Sequence, residues 1–437
     1  MTRKSFLLDA LCVASLWVLP HASSMALELG GVELQVNSYF STSFQSVEAG
    51  GGAFAAANTD TSSGFNRNRF SIGFTITPND LVSVFVELSE EPGDFGTNFQ
   101  ISNDLSWLDL SLLNAFTATA SDRHSLVLRV GTPVVGLFNY RGYSDGAVVQ
   151  GNPLIGNSPW DLVSAQSGTQ LIGTHTFPNG LIESIGWDLG LFVPTFGESF
   201  SGDLPYDLVA KARFEIGSSL KIGAGVYRQI GGGDQFRSRQ QSEGVQLSNG
   251  QTAVDRGSLD LPGWLFGDGE VYNFAASSPG ARDTHAHLTP GVDASGWHVD
   301  LQFTPALMSG RTLFRAWVGT LNDDYSFVDM DGNQMPGQPS NLVARRDASS
   351  FGWGTEATVS LIPDKLYIAG RFVKVSNRSA GVAGTPHLNR VQLGGGLWLH
   401  ASTLLKFEFV RQSEEINSPG QIGDDWDGVS TEISFQF

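Results

Sequence analysis

Residues 70–88, FSIGFTITPNDLVSVFVEL, carry the pattern that decides the fold. In the first half, every second residue is large and apolar: Phe70, Ile72, Phe74 and Ile76. The following TPND (77–80) favours a tight turn, because Pro78 fixes φ and Asn79 and Asp80 suit turn positions. The alternation then resumes in the second half, at Val82, Val84, Val86 and Leu88. Period two is typical of a β-strand, so the stretch predicts a β-hairpin with one apolar face.

The same alternation recurs along the chain and predicts sixteen strands. They are expected at residues 32–45, 65–77, 81–90, 104–117, 123–131, 168–177, 182–193, 206–217, 219–229, 295–304, 312–321, 350–362, 365–376, 388–399, 403–412 and 427–437. Two of these segments, 104–117 and 168–177, alternate poorly. The even number and the length of about ten residues per strand are typical of transmembrane β-barrels.

The connections between these strands alternate strictly between long and short. Short turns such as PNG (178–180) and GSS (217–219) alternate along the chain with long segments such as 132–167 and 230–294. A soluble sandwich has no reason to place every long loop at one end, whereas an outer-membrane barrel has short periplasmic turns and long extracellular loops. A barrel of sixteen strands is too wide to fill with side chains, so its interior is wet and its apolar face meets lipid. We therefore predict an all-β, 16-stranded antiparallel transmembrane β-barrel.

The N-terminus resembles a secretory signal peptide. Arg3 and Lys4 precede an apolar run over residues 6–19, and small side chains at Ser24 and Ala26 predict cleavage after Ala26. Residues 1–26 are then the signal peptide and residues 27–437 the barrel, in the outer membrane of a Gram-negative bacterium. The alternative is a buried N-terminal helix. Because Cys12 is the single cysteine, the exported barrel is expected to contain no disulfide.

The composition excludes some functions. Only 16% of the 437 residues are charged, below the roughly 25% of a typical soluble domain. The formal net charge of −18 argues against nucleic acid as a partner. No nucleophile motif accompanies the serines and histidines, so we predict no enzyme activity, and we assign no residue to catalysis, to a cofactor or to a metal.

Several stretches resemble a general bacterial porin, and the pattern is closest to the phosphate-selective porin O/P family. They are FNRNRFSIGFTITPNDLVSVFVELSEE (65–91), SLVLRVGTPVVGLFNYRGY (125–143), YDLVAKARFEIG (206–217), GGGLWLHASTLLKFEFVRQ (394–412) and STEISFQF (430–437). The resemblance implies a homotrimer that passes small hydrophilic solutes or anions by passive diffusion. It also implies that the third long loop, residues 132–167, folds into the barrel as a constriction loop. The terminal Phe437 resembles the signal read by the outer-membrane assembly machinery.

Strand phase nominates the residues that line the pore, because the residues between lipid-facing positions point inward. The inward bases are Arg67, Arg69, Arg129, Lys211, Arg213, Lys221, Arg315, Arg371 and Lys406, and Arg141 lies near the predicted constriction. The inward acids are Glu33, Glu87, Asp109, Asp188, Asp300, Glu356, Glu408 and Glu432. A basic patch at Lys211, Arg213 and Lys221 would favour anions. The alternative is a balanced interior in which Arg–Glu pairs brace the wall.

The outer loops suggest membrane partners. Acidic residues concentrate in segments 322–333, 413–417 and 423–428, which we expect to bridge to lipopolysaccharide phosphates through divalent cations. The spacing of Asp329, Asp331 and Asn333 only weakly resembles a calcium loop, so a solvated turn is the favoured interpretation.

The functional alternatives to a porin are a substrate-specific outer-membrane receptor, a barrel enzyme with a blocked lumen, and a secreted soluble β-rich adhesin.

Overall fold

A computed structural model shows one large antiparallel β-sheet. It describes residues 25–49, 61–90, 102–116, 123–137, 149–155, 163–165, 167–178, 180–193, 206–230, 245–246, 252–253, 295–305, 311–323, 348–379, 387–415 and 426–436. Within these ranges lie sixteen long strands, β1 (Val32–Ala49), β2 (Thr61–Asn79), β3 (Val82–Glu90), β4 (Ser102–Ser111), β5 (His124–Thr132), β6 (Ser167–Thr176), β7 (Ile182–Val193), β8 (Tyr206–Ile216), β9 (Leu220–Ile230), β10 (Ser295–Phe303), β11 (Thr312–Asp323), β12 (Ala348–Ile362), β13 (Leu366–Ser379), β14 (His387–His400), β15 (Thr403–Glu415) and β16 (Trp426–Gln436). Each predicted strand overlaps one of them.

The sheet closes on itself. Every long strand pairs antiparallel with the next in sequence, and β16 pairs antiparallel with β1 from Trp426 opposite Ala49 to Gln436 opposite Tyr39. Closure satisfies the backbone hydrogen bonds of both outermost strands, which an open sheet would leave exposed. The structure therefore confirms the predicted closed, 16-stranded antiparallel barrel.

The two faces of the barrel have the chemistry expected of a membrane-spanning wall. In β15, Phe407 is 55% exposed on the outer face, whereas its neighbours Lys406 and Glu408 are buried on the inner face. In β16, Val429, Ile433 and Phe435 are exposed, and Glu432 and Ser434 between them are buried. An apolar outside around a charged inside inverts the arrangement of a soluble protein. In β15 and β16 the charged residues Lys406, Glu408 and Glu432 therefore lie on the inner face.

A short strand, Met25–Leu29, extends the seam where the barrel closes. It pairs with the start of β1, from Met25 opposite Val36 to Leu29 opposite Val32, on the edge whose other half pairs with β16. The sequence pattern did not predict this strand. Cleavage after Ala26, which remains a prediction, would leave Leu27, Glu28 and Leu29 in it.

The prediction for 104–117 was wrong in its second half. Strand β4 ends at Ser111, and Leu112–Phe116 forms a short helix, α1. The sequence LLNAF has no period of two, and the Asn114 side chain donates a hydrogen bond to the Asp80 carbonyl at 3.1 Å, which ties α1 to the turn between β2 and β3. Among the described residues, no helix has the length and apolar character needed to cross a membrane.

Two small ribbons lie within the long connections. Val134–Leu137 pairs with Val163–Ala165, so the predicted constriction segment 132–167 is drawn together near its two ends. Val245–Gln246 pairs with Thr252–Ala253 inside the segment 230–294. The short turn between β8 and β9 depends on Gly217, whose φ of +55° is a left-handed conformation that favours glycine.

Candidate pore lining

One side of the lumen is a buried network of charged and amide side chains. On β11, β12 and β13, Arg315 donates to Glu356 at 2.6 Å, and Arg371 donates to the other Glu356 oxygen at 2.8 Å. On β15 and β16, Lys406 forms an ion pair with Glu432 at 3.3 Å. The luminal face of β11–β16 is called the covered wall below. It contains three of the predicted pore-lining bases, and all three are paired with carboxylates.

An inner segment, residues 149–155, lies against this wall. The backbone N–H of Ile155 donates to the Glu408 carboxylate at 2.6 Å, and Arg371 donates to the Asn152 side chain at 3.0 Å. The Leu154 side chain is buried, and its carbonyl accepts a hydrogen bond from Lys406 at 3.4 Å. Because these wall residues face inward, the inner segment lies within the lumen.

The inner segment is also held near the short turn between β14 and β15. The Gln150 side-chain amide donates to the Ser402 carbonyl at 3.0 Å and to the Ser434 carbonyl at 3.2 Å. Every described residue from Gln150 to Ile155 is buried. The segment therefore has anchors on β13, β15, β16 and one turn.

Sequence reasoning missed several members of the covered wall. Arg390 on β14 donates to Gln412 on β15 at 2.7 Å, and Gln392 donates to Glu408 at 2.8 Å. Arg390 and Gln392 alternate with the apolar Val391 and Leu393, so the phase rule applied to β14 would have found both. Asn152 and Gln150 carried no such signal, because they lie outside any strand.

The adjoining part of the barrel wall, formed by β7–β10, has charges that are only partly buried. Lys211 on β8 lies 3.3 Å from Asp188 on β7, and Lys221 on β9 lies 2.6 Å from Glu215 on β8. Their side chains are 22% and 27% exposed, against 0% for Arg371. The luminal face of these four strands is called the open wall below. The predicted basic patch is thus brought together, and two of its three members are paired.

Arg213, the third member, differs from its neighbours. It lies on β8 between Lys211 and Glu215 and is half-buried. With the residues that the structure describes, Arg213 forms no ion pair within 4.0 Å. It interacts electrostatically with Glu215 and Asp300 without contacting them. Arg213 is therefore the base of the open wall whose charge is least neutralised by direct contact.

Arg129 lies between these two extremes. Its Nε and Nη2 donate to both oxygens of Asp109 on β4, at 2.7 and 2.8 Å, and its guanidinium lies 4.5 Å from the ring centre of Trp107. The Arg129 side chain is 23% exposed. This bidentate pair orients Arg129 along the wall.

Four residues of the predicted pore lining and assembly signal remain: two lie on a described strand and two lie outside the described residues. Arg67 and Arg69 lie on β2, opposite Ser43 and Ser41 of β1 in register. Arg141 and Phe437 lie outside the described residues, as do the acidic segments 324–333 and 423–425.

The comparisons with known proteins support the fold. No protein-family model matches the sequence, and no curated protein sequence matches it either. Solved structures do match: the anion-selective porin from Comamonas acidovorans has 13% identity and a TM-score of 0.51, over 93% of this chain and 100% of that chain. The chain has the fold of an outer-membrane porin barrel.

Two further structures agree with this fold. Salmonella typhi OmpF in complex with daunomycin has 12% identity and a TM-score of 0.53, over 94% of this chain and 100% of that chain. In-vitro folded OmpT, an outer membrane protein of Vibrio cholerae, has 9% identity and a TM-score of 0.50, over 94% of this chain and 99% of that chain. At these identities the likeness concerns the path of the backbone, so function must be argued from the lumen.

Proposed function

We propose that this protein is an outer-membrane porin, a water-filled channel through which small hydrophilic solutes diffuse passively. The observation that carries the proposal is the closed sixteen-stranded barrel with apolar side chains outside and charged side chains inside. Apolar side chains outside suit lipid and charged side chains inside suit water, because a charge on the lipid-facing midplane would cost about 2–4 kcal/mol. The location is then the outer membrane of a Gram-negative bacterium, reached with the signal peptide 1–26.

The inner segment is proposed to be part of a constriction loop formed by residues 132–167. Its contacts with Glu408, Arg371 and Lys406 support this role, because they fix polypeptide inside the lumen along one wall. Solutes would then pass beside the open wall. The constriction would determine the size limit, and the charges of the open wall would bias which ions pass.

The channel is proposed to prefer anions because of Arg213. Where the structure describes the side chains, the other bases of the lumen are paired with carboxylates or amides at 2.6–3.3 Å, whereas Arg213 is not. The alternative of a balanced interior describes the covered wall well. An anion preference would agree with the resemblance to the phosphate-selective porin O/P family, which stays a proposal based on the quoted stretches.

Assembly and partners complete the proposal. We expect a homotrimer, outer loops that contact lipopolysaccharide, and insertion by the outer-membrane assembly machinery through Phe437. The variant Phe437→Ala is expected to reduce the amount of folded barrel in the membrane while leaving the conductance of each inserted channel unchanged. Equal insertion of both proteins, measured as the heat-modifiable fraction on gels, would remove Phe437 from the signal.

Conductance in a planar lipid bilayer tests the channel itself. The purified protein is expected to give stable open-channel steps whose size grows in proportion to salt concentration, as for a wet pore. A barrel enzyme or a receptor with a blocked lumen would insert without such steps. A secreted adhesin would be extracted without detergent and would show no heat-modifiable mobility.

A further inference from the structure

Three residues form a row across the open wall. In register, Arg213 on β8 lies opposite Gly223 on β9, and Gly223 lies opposite Asp300 on β10. All three belong to the inward phase of their strands. The row therefore contains a base, a position without a side chain, and an acid, in that order around the lumen.

Gly223 determines where the Asp300 carboxylate lies. A Cβ built at Gly223 would overlap with both Asp300 carboxylate oxygens, so the carboxylate occupies the space that a side chain at 223 would fill. The same arrangement recurs two residues along β9, where a Cβ at Gly225 would overlap with the His298 ring. Two glycines thus let polar side chains of β10 lie across β9 toward β8, and Asp300 is only 9% exposed there.

This position brings the Asp300 carboxylate near Arg213 without an ion pair between the two residues; the carboxylate lies 3.8 Å from His298 Nε2 instead. Asp300 interacts electrostatically with Arg213 and with Lys211, and Lys211 already has Asp188 at 3.3 Å. Side chains directly opposite each other on neighbouring strands have Cβ atoms about 4.5–5.5 Å apart, so a carboxylate over Gly223 is one strand spacing from the Arg213 stem. Its field lowers the positive potential that a dissolved anion meets at Arg213.

We propose that Asp300, held over Gly223, is a specificity-determining residue that weakens anion binding at Arg213. The inference rests on the proposed channel function. It predicts that the anion preference of the pore depends on the Asp300 carboxylate even though the permeating anion does not need to contact Asp300. Sequence phase alone placed Asp300 in the lumen, and the register of β8, β9 and β10 shows which base it affects.

Inhibition of chloride current by sulfate measures this effect in single channels. Sulfate is a compact divalent anion, so its binding at Arg213 is expected to reduce chloride conductance. For Asp300→Asn we expect the half-inhibiting sulfate concentration to fall about 3- to 10-fold, as expected for removal of one nearby, partly screened unit charge. In an Arg213→Gln background, the same Asp300→Asn change is expected to have an effect below about 2-fold, because coupled sites are not additive.

Two further variants separate placement from charge. Gly223→Ala keeps every charge but displaces the carboxylate, which is the mobile end of a side chain, so the Asp300→Asn effect is expected to be smaller in the Gly223→Ala background. Glu87→Gln removes another luminal carboxylate, on β3, where Ser71 donates to it. Glu87→Gln is expected to leave sulfate inhibition at the wild-type value.

The outcomes are distinguishable. An unchanged sulfate response in Asp300→Asn would overturn the inference, as would an equal shift in Glu87→Gln or an undiminished effect in the Arg213→Gln background. In each of these cases the variants still conduct, so the proposed channel function stands. Failure of the wild-type protein to form open channels would instead remove the proposed function.

Discussion

The two walls of the lumen use the same residue types for different purposes. On the covered wall, Arg371 and Glu356 are fully buried, hydrogen-bonded on both sides and overlaid by the inner segment. On the open wall, Lys211 and Lys221 each pair with a carboxylate and are partly exposed, and Arg213 has none in contact among the described residues. An inward charge is therefore not by itself a selectivity residue. A luminal charge that is paired with a carboxylate and covered by polypeptide stabilises the barrel and does not act on passing ions.

The largest expected effect is the loss of stability when the covered wall is broken. Arg371→Ala removes the guanidinium that bonds Glu356, Gln392 and Asn152, and it leaves these buried groups short of partners. We expect the free energy of unfolding to fall by about 3–5 kcal/mol, as for other broken buried ion pairs. Urea unfolding in lipid vesicles, followed by tryptophan fluorescence, measures it.

The matched control is Arg213→Ala, the same substitution on the open wall. It is expected to change the unfolding free energy by less than about 1 kcal/mol, because a half-exposed charge without an ion pair contributes little to stability. If both substitutions destabilised the barrel equally, the distinction between the two walls would be wrong.

The next effect concerns the anchor of the inner segment. Glu408→Ala removes the acceptor of the Ile155 N–H, a charge-assisted hydrogen bond that contributes about 1.5–3 kcal/mol. We expect the segment to leave the wall in a fraction of channels, which would add larger conductance steps and current noise to the single-channel record. A record identical to that of the wild-type protein would mean that other contacts hold the segment in place.

Substitutions on the open wall are expected to change the ion selectivity of the channel. Arg213→Ala is expected to shift the reversal potential in a potassium chloride gradient toward cations, with a 2- to 3-fold change in the permeability ratio, roughly the effect of one unit charge at about 7 Å in water. Lys211→Ala should shift it less, because Asp188 already offsets Lys211. A larger shift for Lys211 than for Arg213 would reverse the assignment.

The fold was predictable from sequence because lipid imposes a strict rule. Most lipid-facing residues are apolar, as at residues 70–76 of β2 and 429–435 of β16, so the period of two locates the strands and indicates their inward face. The period of two did not predict α1, because Leu112–Phe116 lies beyond the end of β4 and is not part of a strand with one lipid-facing and one luminal face.

The division of the lumen into two walls was not predictable in the same way. Strand phase nominated Arg371 and Arg213 equally, since both alternate with apolar residues. What separates them is a contact between Arg371 and Asn152, which are 219 residues apart in the chain, and the register that places Gly223 beside Arg213. Such long-range contacts leave no periodic signal in a single sequence.

Arg129 provides an intermediate case, which tests whether the two walls are extremes of one scale. Arg129 has a bidentate carboxylate like the covered wall, yet it is 23% exposed like the open wall. Arg129→Gln is therefore expected to cost about 1 kcal/mol of unfolding free energy and to change the permeability ratio less than Arg213→Ala does. An unfolding cost between those of Arg371→Ala and Arg213→Ala, together with a permeability change smaller than that of Arg213→Ala, would show that pairing and exposure together set the role of a luminal charge. A selectivity shift as large as that of Arg213→Ala would show that exposure alone decides it.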